Sequence, residues 1–207
     1  MGQGKILAID LGARHLGWAV NIPSNVGAAY GLIDMPGTEH PGQLYAATRN
    51  ELERLIVRYQ PTIIRFVQAF IARGEDEREA QPGKAAKARK RFRTSIAVQE
   101  TSLGQQAILK CAAWDNSLEL QTVNERAARK QVLGTCDFGL IDPRTGGIVP
   151  DSGRKEAKRH VMEWCAAQGY LPKTHDVGDA LVLLAYDPAR KPARTARAKH
   201  QPQPTIF

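Results

Sequence analysis

The 207-residue sequence predicts an α/β protein built on one mixed, five-stranded sheet flanked by helices. Three observations point there. Three short apolar segments follow one another at the N-terminus, split by Gly, Pro, Asn and Ser, and read as a meander of strands. Past them, stretches of helical periodicity alternate with two short strand-like runs. The length suits one domain with a full core and is too short for two of full size.

Residues 5–10 contain the apolar run Ile6-Leu7-Ala8-Ile9 and end on Asp10, ahead of the glycine turn Leu11-Gly12. Residues 16–21 and 28–34 complete the meander. Residues 41–59 place Leu44, Leu52, Leu55 and Ile56 on one side and Arg49, Glu53, Arg54 and Arg58 elsewhere, an amphipathic helix that Gln60-Pro61 stops. Ile63-Ile64-Arg65-Phe66-Val67 is β-branched and mostly apolar, as suits a strand inside a mixed or parallel sheet. Thr94 is placed to cap a long helix reaching about Trp114, with Ile96, Leu103, Ala107, Ile108 and Cys111 as its buried face. A short strand over 118–123 precedes a basic helix with Arg126, Arg129 and Lys130 that ends near Gly134. A further helix covers 152–168 ahead of Gly169, and 176–186 is a short apolar helix. Three strands, helix, strand, helix, strand, then helices is the order of the ribonuclease H-like fold. The domain spans 1–187. Beyond Asp187 there is no acidic residue, and Arg190, Lys191, Arg194, Arg197 and Lys199 make 188–207 a disordered basic tail.

Composition is that of an ordinary soluble globular protein, with 43% hydrophobic and 24% charged residues. The charge balance is less ordinary: 29 Lys and Arg against 21 Asp and Glu give a formal +8. Such a surplus favours a polyanionic partner, nucleic acid first. No apolar run approaches the ~18 residues of a membrane span, and Met-Gly-Gln-Gly-Lys is not the start of a signal peptide. A cytoplasmic protein associated with nucleoid or phage DNA is expected, with no membrane contact. Cys111, Cys136 and Cys165 are odd in number and widely spaced, so they are read as reduced and structural rather than as a disulfide or zinc framework.

A strand that delivers a carboxylate to its end beside a glycine turn suits a divalent metal or a phosphate. Near the C-terminus, Asp176 and Asp179 are three residues apart, which on a helix puts both carboxylates on one face of its first turn. Each feature also has a plainer meaning. Asp10 suits an ordinary turn, and Asp176 suits a helix N-cap with Asp179 favourably placed in the helix dipole. Their joint occurrence in a basic chain favours a site. Three adjacent carboxylates repel one another unless a cation compensates them, and hard oxygen donors select Mg²⁺ or Mn²⁺. Paired ions ~3.5–4 Å apart hydrolyse phosphodiesters in line. His175 is a candidate assistant in proton transfer or metal binding, or a surface residue.

Ala8-Ile9-Asp10-Leu11-Gly12 with Gly17-Trp18-Ala19-Val20 at the front, and Asp176-x-x-Asp179-Ala180-Leu181 at the back, resemble RuvC-type Holliday junction resolvases, especially phage-like members. The likeness covers most of residues 4–186, including Arg58-Tyr59-Gln60-Pro61 and the segment 123–134. It implies a homodimeric, Mg²⁺-dependent endonuclease that binds four-way DNA junctions and nicks two strands symmetrically, with Asp10, Asp176 and Asp179 at the metal-binding positions. The family carries a fourth acid, a glutamate, at a position matched here by Val67, and an apolar side chain cannot bind a cation. Gln68 offers only a neutral carbonyl. A substitute carboxylate would come from Glu75 or Glu77 in the following loop, or from Glu100 on the next helix. The departure predicts a weakened metal site and a slow, differently metallated or inactive enzyme.

For DNA contact the sequence offers a basic loop, Lys84, Lys87, Arg89, Lys90, Arg91 and Arg93 with Phe92 among them, suited to tracking phosphates and stacking a base. Arg126, Arg129 and Lys130 are further backbone contacts, and the tail adds sequence-independent affinity. Two other readings stand beside the nuclease: a junction-binding protein whose site decayed at Val67, and a relative acting on RNA. An actin-like ATPase or sugar kinase shares the strand and Asp-x-Gly start but needs a second domain and phosphate loop, for which 207 residues leave no room.

Overall fold

The structure is a computed structural model that describes residues 4–22, 27–37, 40–68, 96–139 and 152–190, apart from the side chains of 96–98. Strands β1 (Ile6–Leu11), β2 (His15–Ile22) and β3 (Gly27–Asp34) form an antiparallel meander. After α1 (Pro41–Tyr59), β4 (Ile63–Val67) pairs parallel with β1. After α2 (Ile96–Asp115), β5 (Glu119–Val123) pairs parallel with β4. Helices α3 (Glu125–Leu133), α4 (Ser152–Ala167) and α5 (His175–Ala185) complete the described elements, and the sheet runs β3-β2-β1-β4-β5. The segment 69–95, with Thr94 and the basic loop, and the tail from 191 lie outside the described residues.

Local chemistry explains the element ends. Pro41 opens α1, where its missing N–H costs no hydrogen bond. Gln60 then turns left-handed (φ 48°) and donates its N–H to the Ile56 carbonyl at 2.8 Å, ahead of Pro61. Gly134 closes α3 at φ 79°, a conformation open to glycine at little cost. Beyond α5 the chain stays tied down for a few residues: Gln131 of α3 donates to the carbonyls of Asp187 and Arg190 and accepts the Asp187 N–H.

Period-two alternation splits the core between the two sheet faces. Leu7, Ile9, Leu16, Val20, Ile64 and Phe66 pack with α1 and α2 on one face. Ala8 and Ala19 face α5, and with Val123 they join the cluster built by α3, α4 and α5. Asp10 has the parity of Ala8 and therefore faces α5.

Helix α2 departs from the predicted face. Its buried residues are Gln105, Gln106, Leu109, Ala112 and Ala113, while Leu103, Ala107 and Cys111 are exposed and Ile108 is half-buried. The cause is polar: Gln105, 1% exposed, donates from Nε2 to the Gly12 carbonyl (3.1 Å) and the Thr48 hydroxyl (3.4 Å). A glutamine that ties the Asp10-Leu11-Gly12 turn to two helices belongs inside, which rotates the apolar face. The same rotation leaves Cys111 on the surface, so of the three free cysteines only Cys165 is buried.

Two contacts fix α5. At Gly17 of β2 a Cβ would overlap the carbonyl of Asp176, so the helix backbone lies directly on the strand. At the other end Arg65, 3% exposed, donates to the carbonyls of Leu183, Leu184 and Tyr186 and to Gln121 Oε1. Those carbonyls are among the groups a helix C-terminus leaves unpaired. Gly17→Ala is expected to destabilise by about 2 kcal/mol through overpacking, a fall in Tm of about 4–8 °C. Arg65→Met, which strands buried acceptors, is expected to cost about 3 kcal/mol in urea unfolding. Unchanged midpoints in both variants contradict this account of the α5 docking.

Candidate active site

The sheet's parallel half brings three strand ends to one edge. Ile9 pairs with Phe66, so Asp10 stands beside Val67, and Val67 pairs with Val123 at the end of β5. Asn124 caps α3 by accepting the Ala127 N–H at 3.1 Å, which makes Glu125 the first helical residue. The apolar position is thus flanked by a carboxylate on either side. The N-terminal part of α5 brings His175, Asp176 and Asp179 over the same edge. Thr174, not Asp176, is the residue before this helix, so Asp176 is free of the capping role its position in sequence allowed. Asp10, Glu125, Asp176 and Asp179 line one cleft of about 500 Å³, together with Arg126, Arg129, Arg154, Lys158 and Val67.

Burial dominates the electrostatics. Asp10 is pushed well above the usual carboxylate range, first by desolvation and then by Asp179, Asp176 and Glu125, against a weaker pull from Arg129. Asp179 is raised by burial, with Arg129 opposing. Arg129 donates from Nη2 to Asp179 Oδ1 at 2.9 Å and from Nη1 to Glu125 Oε1 at 2.7 Å. Burial lowers its guanidinium pKa, but Asp179 and Glu125 outweigh that and hold it above the ordinary value. His175 Nε2 lies 3.0 Å from Asp176 Oδ1. Cys165 is buried, and desolvation raises its thiol to about 11, with Asp179 adding to the shift; it packs as an apolar residue.

As arranged, the donors do not fit a divalent ion. Among the described residues no group of three or more His, Cys, Asp or Glu side chains is positioned to hold a metal. Val67 supplies no donor, and Arg129 already engages Asp179 and Glu125.

Asp10, Asp176, Asp179 and His175 are therefore brought together, whereas Glu100 is not. It is exposed on α2, which packs on the opposite sheet face, and its backbone carbonyl accepts the Tyr45 hydroxyl at 3.1 Å. Arg126 lines the cleft and pairs with Asp137 at 2.9 Å, while Lys130 is exposed outside it. Arg129 is not a free phosphate contact, because both its terminal nitrogens are spent on carboxylates. Lys84, Lys87, Arg89, Lys90, Arg91, Phe92 and Arg93, and the candidate acids Glu75 and Glu77, lie outside the described residues. Sequence reasoning missed Glu125, Arg154 and Lys158. Their signals were a capping Asn124 directly after a strand, the i,i+4 pair Glu125/Arg129, and the i,i+4 spacing of Arg154 and Lys158.

A carboxyl whose folded pKa exceeds its unfolded value favours folding while protonated, and this contribution is lost as pH rises through the folded pKa. Metal-free protein should therefore lose stability as Asp10 ionises. Asp10→Asn is expected to raise Tm of the metal-free protein by a few degrees, about 2–4 °C per kcal/mol recovered, and more at pH 8 than at pH 5. A fall in Tm at both pH values contradicts the assignment.

No protein-family model matches the chain, and no curated protein matches it in sequence. Among solved structures it is similar to Thermus thermophilus RuvC in complex with a Holliday junction substrate, with a TM-score of 0.55 and 12% identity over 87% of this chain and 90% of that one. A second structure of Thermus thermophilus RuvC gives 0.53 and 14% identity, over 86% and 90%. The mixed sheet and the five helices of the described residues form a RuvC-like, ribonuclease H-like fold.

Proposed function

We propose that this chain is a structure-selective protein of branched DNA that binds four-way junctions at the cleft above Asp10 and nicks their strands as a crossover junction endodeoxyribonuclease. The observation that carries this reading is the convergence of Asp10, Asp176 and Asp179 in one cleft walled by Arg126, Arg154 and Lys158. Carboxylates alone repel a phosphate backbone, whereas basic walls draw it in and set its register. The RuvC solved with a Holliday junction substrate supports the choice of substrate. The donors as arranged do not hold a divalent ion, so hydrolysis with Mg²⁺ or Mn²⁺ requires Arg129 to release Asp179 before the carboxylates can converge on one. A two-fold junction suits a homodimer with two sites.

Two features favour a second reading, junction binding without hydrolysis: the apolar Val67 beside Asp10 and the ion pairs of Arg129. Synthetic four-way junctions incubated with Mg²⁺ or Mn²⁺ separate the two. The nuclease reading expects product at least tenfold above the Asp10→Asn control. Binding in a gel shift with no product above that control favours the second reading, most clearly if Val67→Glu switches cleavage on. Neither binding nor cleavage overturns both.

A further inference from the structure

We propose that the guanidinium of Arg129 is this site's own counter-cation, competing with divalent ions for the carboxylate of Asp179. The inference rests on the carboxylates of the proposed function but not on its substrate.

The geometry distinguishes Arg129 from the other basic residues of the cleft. Arg126 meets its partner Asp137 on the surface, where ion pairs contribute little. Arg129 and Asp179 are 19% and 18% exposed, so each charge has given up most of its water and depends on the other. The fork spans two helices, with one arm on Glu125 four residues earlier in α3 and the other on Asp179 of α5. Its Nε is buried and has no hydrogen-bond partner. A buried unpaired donor costs about 1–3 kcal/mol, so what holds the side chain there is its pairing with the carboxylates rather than a complete set of bonds.

Position explains why an arginine serves here. At Val67 the strand end offers nothing to a cation, while Asp10, Asp176, Asp179 and Glu125 remain around it. Four acids in a half-buried cleft need positive charge nearby. A divalent ion needs several oxygens converging at short range, but a guanidinium needs only two carboxylates within reach of a planar fork, and that is the arrangement present. A cation entering this cleft must first displace Arg129 from Asp179, and the displaced guanidinium then repels it.

Mn²⁺ titration of the full chain without DNA, by calorimetry and electron paramagnetic resonance after chelator treatment, tests this. Arg129→Gln is expected to bind Mn²⁺ at least tenfold more tightly than wild type, and Mn²⁺ should raise its Tm more. Adding Asp179→Asn to Arg129→Gln should abolish the gain. Equal affinity in wild type and Arg129→Gln, or a gain that survives Asp179→Asn, overturns the proposal. If Arg129→Gln does not fold, Arg129→Lys serves instead, since a compact ammonium cannot span both carboxylates: a gain of at least threefold is expected, and no gain overturns the idea. Junction affinity of the wild type in chelator is measured separately, so failure of the DNA reading and failure of this one are distinguishable.

Discussion

Everything in the cleft depends on how closely α5 lies on the sheet. Because position 17 has no side chain, the helix backbone at Asp176 rests on β2 itself, and the first turn of α5 reaches the strand edge that carries Asp10. Arg65 holds the far end of the same helix by its carbonyls. A helix held at both ends has little freedom to slide or roll, and these contacts set where Asp176 and Asp179 stand relative to Asp10. That is how a strand residue and a helix residue far apart in sequence can share one site with little freedom to relax.

That rigidity has an electrostatic consequence. Carboxylates held together and partly withdrawn from water cannot separate to relieve their repulsion, so they take up protons or recruit positive charge. At Asp10, burial and the neighbouring acids raise the pKa. At Asp179, burial raises it and the Arg129 guanidinium opposes the rise. Holding the acids together thus costs stability wherever positive charge does not compensate them.

The parallel edge of the sheet gives the departure at Val67 its meaning. β1, β4 and β5 end side by side, and their three terminal positions read carboxylate, valine, and valine leading into Asn124-Glu125. The apolar middle position, Val67, therefore lies between Asp10 at the end of β1 and Glu125, which follows β5 as the first residue of α3 and is paired to Arg129. Arg154 and Lys158 line the same cleft, and cations there suit a phosphate backbone.

Much was legible in the sequence because it depends on local rules. Period-two runs, helical periodicity and Gly or Pro punctuation located every element of the described residues, and a strand end and a helix start marked Asp10, Asp176 and Asp179, which the fold brings to one cleft. What the sequence could not convey was any property that depends on partners distant in the chain. Gln105 lay outside the predicted buried face of α2, and its bonds to Gly12 and Thr48 explain its burial. Arg65 stood within a mostly apolar strand, and Arg129 among the basic residues of a helix. Only folding brought the carbonyls of α5 to the first and the carboxylates of α3 and α5 to the second. Patterning determines which residues are strand, helix and core because those preferences are local. Whether a charge is free or committed is decided by tertiary structure, because its energy depends on what lies within a few ångströms and how little water remains there.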